Sequence, residues 1–376
     1  MKFIIDKAVL ESTAKTLSRV INPKNPLPIL RCILFHVYDD VAEMTAYDGD
    51  VHLSRTIKLC ENVEEDITFC ADAKYLTDAL AAVTDQPVTI EVEKDDGIRK
   101  LTIHHQSGQA FFPLDDESEY QILPEDNRNE SLSLDFAMVI AALKRSIWAT
   151  DTNDLRPAMC GVSFALDDGN ISIVATDGKS LVKTTQLLPD VDTKRIGSFI
   201  MPKKAAVLLT SLSSPEDGTL EIEWNDKKVR MDADEYILTF NQIEGKYPNY
   251  MSVIRATSPM NPVVSVAALA NSVKKVLPLS CSSSKLLSMQ FDHNSLRIAA
   301  EDYDFSRGAF DQLNIEYEDK SFTIGCKGDQ LLRMLSKVNS SQLTIGLHDP
   351  DDAIIINDED GDAEITMLLM PMLLNN

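Results

Sequence analysis

The stretch DKAVLESTAKTLSRVI at residues 6–21 decides the fold once it is set beside DFAMVIAALKRSIWAT at 135–150 and SVAALANSVKKVLPLS at 265–280. Val9, Leu10, Leu17 and Val20 share one face of the first, with Met138, Val139, Ala142 and Leu143 on the second, and Val266, Leu269, Val273 and Val276 on the third. Apolar residues at three- and four-residue spacing mark an amphipathic helix. The starts lie 129 and 130 residues apart, and a repeat at fixed period means a repeated structural unit. Two further landmarks keep the same order. Shorter helices read DAKYLTDALAAV from Asp72, PKKAAVLLTSL from Pro202 and KGDQLLRMLSKV from Lys327. Alternating strands end in Ala46-Tyr47-Asp48, Ala175-Thr176-Asp177 and Ala300-Glu301-Asp302.

The rest reads as strand. VTIEVEKDDGIRKLTIHH, TLEIEWNDKKVRMDADEYILTF and QLTIGLHDPDDAIIINDEDGDAEITMLL alternate about Gly, Asp and Asn turns, as antiparallel hairpins do. Each repeat then holds two helices and about eight strands, an α+β unit with helices on one face of antiparallel sheet. Three domains are expected at 1–127, 128–257 and 258–376, joined through the polar or Pro-containing stretches 125–130 and 256–261.

Among the 376 residues, 36 Lys and Arg stand against 59 Asp and Glu, a formal net charge of −23. Such a chain does not grip nucleic acid with its whole surface, because that grip is phosphate neutralisation by Lys and Arg. An anionic membrane is disfavoured for the same reason. No apolar run of spanning length occurs, and the N-terminus lacks a signal-peptide pattern, so a cytoplasmic protein with no membrane partner is expected. The six cysteines are scattered without a C-x-x-C and read as buried reduced thiols. The charge is unevenly spread. The six helical segments hold thirteen Lys and Arg against six acids, a net +7 that leaves −30 elsewhere. Basic residues near helix C-termini are one account of this. A positive helical lining inside a negative shell is the other.

Catalytic motifs fail one by one. Gly178-Lys179-Ser180 mimics the end of a phosphate loop, but the earlier glycine would fall at Ile173, so a structural turn is preferred. Asp358–Asp362 lacks the spacing of a calcium loop and reads as a hairpin turn, and Asp349, Asp351 and Asp352 as an exposed turn. His104 and His105 are adjacent in a strand and point to opposite faces. No catalytic residue, cofactor or metal is expected.

At this point the residues resemble a known family. Leu27-Pro28-Ile29-Leu30, Val174–Leu181, Met201-Pro202-Lys203-Lys204, Ile243–Tyr250 and Met370-Pro371-Met372-Leu373-Leu374 stand in the order and spacing of the bacterial sliding clamp, the beta subunit of DNA polymerase III. The similarity covers the whole chain. It implies a DNA clamp fold: a head-to-tail homodimer whose six domains form a ring with helices lining a hole for duplex DNA. Twelve helices packed about 8–10 Å apart leave a hole of roughly 26 Å, whereas six leave about 8 Å, so a ring around DNA needs two chains. The family is non-catalytic. It tethers the replicative polymerase and serves the clamp loader and repair proteins.

The resemblance carries site residues with it. Lys24, Asn153, Arg156, Lys203 and Lys204 match positions that touch DNA, while Pro157 and Ala158 replace tyrosines found there in some members. A pocket for short linear peptides is matched by Met159, Thr176, Gly178, Lys179, Leu181, Pro248, Val253, Leu286, Leu368, Leu369, Met370, Pro371 and Met372. Ser252, Leu373 and Gln330 depart from residues found in some members. Phe111, Phe112, Leu277 and Leu279 are placed at the dimer interface by position, with ordinary core burial as the alternative. Two other functions compete: a three-repeat peptide-binding scaffold that never encircles DNA, and a metal-dependent hydrolase built on Asp349–Asp352.

Overall fold

The computed structural model describes residues 1–95, 98–120, 130–189, 192, 194–212, 218–255 and 257–374. Strand β1 (Lys2–Asp6) runs directly into α1 (Lys7–Ser18), followed by β2 (Cys32–Tyr38), β3 (Val41–Tyr47) and β4 (Val51–Lys58). The same plan repeats at once as β5 (Ile67–Asp72), α2 (Ala73–Ala81), β6 (Pro87–Asp95), β7 (Ile98–His105) and β8 (Gly108–Pro113). The next stretch copies this double plan as β9 (Glu130–Asp135), α3 (Phe136–Ser146), β10 (Gly161–Asp167), β11 (Asn170–Thr176), β12 (Ser180–Leu187), β13 (Gly197–Pro202), α4 (Lys203–Leu209), β14 (Thr219–Trp224), β15 (Lys228–Ala233) and β16 (Tyr236–Asn241). The last contains β17 (Val263–Ser265), α5 (Val266–Val276), β18 (Leu286–Asp292), β19 (Ser295–Asp302), β20 (Arg307–Asn314), β21 (Phe322–Lys327), α6 (Gly328–Leu335), β22 (Gln342–Gly346), β23 (Ile354–Asp360) and β24 (Ala363–Leu369). The expected junction at 127/128 lies outside the described residues.

Local chemistry sets where each strand becomes a helix. Asp6 accepts the amide of Val9 at 3.1 Å, Asp72 those of Lys74 and Tyr75 at 2.9 and 3.1 Å, and Asp135 that of Met138 at 2.6 Å. Ser265 caps α5 through Ala268 at 3.4 Å. These side chains satisfy amides that have no partner inside the helix and stabilise each start by about 1 kcal/mol. The α3 and α5 stretches tighten into short 3-10 turns at Ile147–Ala149 and Leu277–Leu279, so both helices are shorter than the sequence periodicity suggests.

Contacts gather into two units. The first comprises Met1–Ala141 with Lys204–Gln242 and holds a four-stranded sheet, β1-β6-β7-β8, and an eight-stranded sheet, β5-β2-β3-β4-β16-β15-β14-β9. The second comprises Ala142–Lys203 with Ile243–Asn376 and holds β20-β19-β18-β21 and β13-β10-β11-β12-β24-β23-β22-β17. All pairings between these strands are antiparallel. Each long sheet joins strands that the sequence assigns to different repeats: β4 pairs with β16, Leu53 opposite Leu238, and β12 pairs with β24, Leu181 opposite Leu368. The core follows the two-residue strand period. In β18, Leu287, Met289 and Phe291 are fully buried, and Leu286, Ser288 and Gln290 between them are half-buried.

Candidate functional site

Thirteen helical cations were expected to form a lining, and the structure removes two of them. Lys7 is 5% exposed and bonded to Glu11 at 2.7 Å and Asp85 at 3.3 Å. Arg145 is 7% exposed and forms an ion pair with Asp360. Both are structural. Lys15, Arg19, Lys74, Lys144, Lys274, Lys275 and Arg333 are exposed on or beside their helices. Lys15 and Lys275 share their charge with Glu11 at 2.5 Å and Asp311 at 2.9 Å.

The five residues matched to DNA contacts have different surroundings. Lys24 is exposed in the loop after α1. Lys204 is half-buried there, its ammonium donating to the Val20 carbonyl at 2.5 Å and to the Asp48 carboxylate, so part of its charge is spent on holding that loop. Asn153 is exposed in a turn anchored on Asp151. Arg156, 49% exposed, pairs with Asp151 at 2.6 Å. Lys203 is half-buried at the start of α4.

The matched peptide residues are largely brought together within the second unit. The β11–β12 turn is built by its own side chains. The Thr176 hydroxyl donates to the Ser180 carbonyl at 2.8 Å and accepts from the Gly178 amide at 3.1 Å, and Asp177 accepts the amides of Lys179 and Ser180 at 2.8 and 2.6 Å. Gly178 takes φ +81°, and a Cβ there would meet Arg156 at 3.1 Å and Met159 at 3.4 Å. The glycine therefore serves a tight turn rather than a phosphate loop. The Met370 amide donates to the Lys179 carbonyl at 2.8 Å and seats the C-terminal tail beside this turn.

The tail continues along β21, where the Met372 amide reaches the Gly325 carbonyl at 2.8 Å. A Cβ on Gly325 would sit 2.3 Å from the Met372 carbonyl oxygen, so only glycine permits that approach. One cavity of about 280 Å³ is lined by Lys179, Ser283, Ser284, Lys327, Gln330 and Met370–Met372. Another, of about 400 Å³, is lined by Arg156–Met159, Glu244–Lys246 and Pro248. Met370 also packs on the buried cluster Val174, Leu181, Ile355 and Leu368, as do Tyr247, Tyr250 and Ile254. The Tyr247 hydroxyl accepts the Thr176 amide at 3.1 Å, and burial pushes the phenol pKa up. Together these give the site methionine and proline walls edged by Lys179, Lys327, Arg156 and Lys246.

Three matched residues lie elsewhere. Leu369 is completely buried in the sheet core, because its side chain points away from that of Leu368. Leu286 lines a separate cavity of about 600 Å³, and Val253 is 44% exposed outside both groove cavities. Tyr247 and Tyr250 stand in Ile243–Tyr250, a stretch that carries the resemblance, but like Ile254 they are absent from the matched pocket set.

The interface candidates divide likewise. Phe111 is 64% exposed on the edge strand β8 under the Lys100 ammonium at 5.6 Å. Phe112 is 8% exposed and packs against Tyr75 at 6.0 Å, so within the chain it is a core residue. Leu277 is half-buried and Leu279 is 38% exposed. On the edge strand β20, Phe310 is 64% exposed beneath Arg297 at 4.6 Å, a residue the sequence reading missed.

In the acidic turn, His348 joins Asp349 at 2.9 Å and Asp352 at 3.1 Å, while Arg255 holds Asp352 at 3.1 Å. Of these contacts, that between Arg255 and Asp352 is an ion pair, and the imidazole lies within hydrogen-bond distance of both carboxylates. The cysteines are free, but Cys60 is exposed and Cys160 and Cys281 are half-buried, so uniform burial does not hold. No helix among the described residues is long and apolar enough to cross a membrane.

The family model described as DNA polymerase III beta subunit, N-terminal domain, matches residues 1–122, and the model of that subunit's central domain matches residues 133–249. The chain is 23% identical to the beta sliding clamp of Pseudomonas aeruginosa and 24% to that of Chlamydia pneumoniae, over the full length of each. The crystal structure of a Pseudomonas aeruginosa sliding clamp superposes with a TM-score of 0.93 at 21% identity. The DNA polymerase III beta subunit of Thermotoga maritima superposes at 0.88 and 18%. Both cover all of each chain and share its fold.

Proposed function

The chain belongs to the DNA polymerase III beta subunit family, and from that premise we propose how its surfaces act. It is a DNA sliding clamp, a non-catalytic processivity factor that works with duplex DNA and a DNA polymerase. Two copies close head to tail, β8 of one against β20 of the other, with Phe111, Phe310 and Leu279 covered at the joint. The ring is counted as three domains per chain, 1–127, 128–257 and 258–376. A closed ring holds DNA by topology, so it needs few phosphate contacts, and these carry no sequence information. Lys24, Asn153, Arg156 and Lys203, with the exposed helical lysines, make those contacts. Lys204 contributes less, because Asp48 holds it.

The groove takes short linear peptides from the polymerase, the clamp loader and repair proteins. The methionine walls, Met159, Met370 and Met372, adapt to several sequences. The protein works in the cytoplasm. The observation that carries the proposal is the exposed helical lysines in a chain of net charge −23. The test is retention after loading on nicked circular DNA. The clamp stays on the circle and is lost when the DNA is linearised. Equal loss from both, or a monomeric mass at micromolar concentration, would favour the scaffold that never encircles DNA.

A further inference from the structure

We infer that the tail-side end of the groove selects an acidic residue: it takes the side-chain carboxylate of an aspartate or glutamate inside a partner peptide, held between Lys179 and Lys327. The inference rests on the groove's role as a peptide site.

Lys327 ends β21 and, by the two-residue strand period, projects from the same face as Gly325, the face over which Met372 runs. It lines the cavity of about 280 Å³ with Lys179, Ser283, Ser284 and Gln330. Among the described residues no Asp or Glu lines that cavity, in a chain that has 59 of them. The Lys327 ammonium lies 3.9 Å from Asp329, whose carboxylate accepts the Gln330 amide at 3.0 Å. Lys179 is exposed at its turn and forms no ion pair among the described residues. Asp177, the acid nearest to it in the chain, is occupied. It accepts the amides of Lys179 and Ser180, and its other oxygen accepts from Gln330 Nε2 at 3.2 Å. Two ammonium groups on one cavity make its potential positive, and a carboxylate placed there lowers their mutual repulsion. The hydroxyls of Ser283 and Ser284 supply further donors.

The other cavity of the groove offers no such excess. Arg156 and Lys246 share its lining with Glu244, and Arg156 is already paired with Asp151 at 2.6 Å. Its remaining walls include Pro157, Ala158, Met159 and Pro248, which suit apolar side chains. The two ends therefore fix a register, with the acid beside the tail and the apolar residues beside Met159. Everywhere else the chain, at net −23, repels an acidic peptide, so the same charge that attracts it at one end rejects misplaced binding. The carboxylate belongs to a side chain because the groove does not stop at the tail. Ser284 lines both the 280 Å³ cavity and the neighbouring one of about 600 Å³, which Leu374 also lines. A bound chain has room to run on past the two lysines.

The test takes overlapping fluorescent decapeptides spanning the replicative polymerase and measures their binding to the full-length protein by polarisation. The tightest binder is expected to contain an acidic residue whose replacement by its amide weakens binding roughly five- to tenfold, since one exposed ion pair is worth up to about fivefold and two lysines act on one carboxylate. Lys179→Gln with Lys327→Gln should cost the parent peptide the same factor and leave the amide peptide unaffected. Lys179→Glu with Lys327→Glu should prefer a peptide with lysine at that position. The advantage of acid over amide should shrink as salt is raised. Equal affinity of the acid and amide peptides, or an equal loss for both in the double variant, overturns the selection and leaves the groove reading standing. Amidation of the peptide's C-terminus should change nothing. A loss on amidation would put a chain end in the cavity and overturn the side-chain assignment. Absence of peptide binding, or binding that survives Ala158→Glu on the wall of the other cavity, instead removes the groove reading and the selection with it.

Discussion

Tyr247→Phe removes one oxygen from the groove and leaves the ring in place. That oxygen accepts the Thr176 amide at 3.1 Å, and Thr176 is 7% exposed, so water does not replace the lost partner without local opening. A buried N–H left unsatisfied costs about 1–3 kcal/mol. The ring still meets Tyr250 at 6.3 Å and still packs on the Val174–Leu368 cluster, so no cavity term adds to this. We expect a loss of about 1–2 kcal/mol, read as a lower urea midpoint at unchanged slope. Thr176 also sets the β11–β12 turn through its hydroxyl, and the backbone of that turn seats Met370. A loosened turn should weaken a partner peptide by about 5–30-fold, measured by fluorescence polarisation. Tyr250→Phe is the control, since Tyr250 makes no bond to the turn backbone. A Tyr247→Phe protein with unaltered midpoint and peptide affinity would refute the idea that this hydroxyl positions the groove.

Further outcomes follow from the same geometry. Phe111→Glu places a charge on the exposed edge residue of β8 and should shift sedimentation from dimer to monomer, whereas Phe112→Ala should act on folding, costing about 3–5 kcal/mol through a core cavity. Removing Lys274 and Lys275 together should weaken binding of free protein to linear duplex and flatten its salt dependence by one to two ions, roughly one for each phosphate no longer neutralised. An unchanged slope would place those lysines away from DNA. Burial lowers the His52 imidazole pKa from 6.5 to about 4, and its Nδ1 has no hydrogen-bond partner. The unfolded chain binds the extra proton, so this contribution is whole above about pH 6.5. It drains as pH falls toward 4, by up to about 3 kcal/mol. His52→Leu should flatten the stability profile across that window, and an unaltered acid slope would count against the buried neutral imidazole.

Much of the fold was legible because it is written in local patterns. The helices announce themselves by apolar spacing, and Asp6, Asp72, Asp135 and Ser265 stand where each strand hands over to a helix. Gly178 was read as a turn because Ile173 stands where a phosphate loop needs its earlier glycine, and its φ of +81° agrees. The hairpin at Asp358–Asp362 was read in the same way, and Gly361 takes φ +61° there. The strand alternation at Phe111-Phe112 said that the two rings face opposite ways. It could not say which face a neighbouring segment covers, since Tyr75 arrives from a helix far earlier in the chain.

By itself, then, the sequence determined the repeated order of elements, the acidic balance with its basic helices, and the turns, because each depends on residues within a few positions of one another. Tertiary structure decided the rest. Lys7 loses its availability to Asp85 and Arg145 to Asp360, partners 78 and 215 residues away. The repeats merge where β4 meets β16 and β12 meets β24, and the groove exists only because Tyr247 reaches Thr176 and Met370 reaches Lys179. Backbone donors and acceptors at a strand edge are alike from one strand to the next. The choice of partner is made by which apolar faces can be buried together across the whole chain.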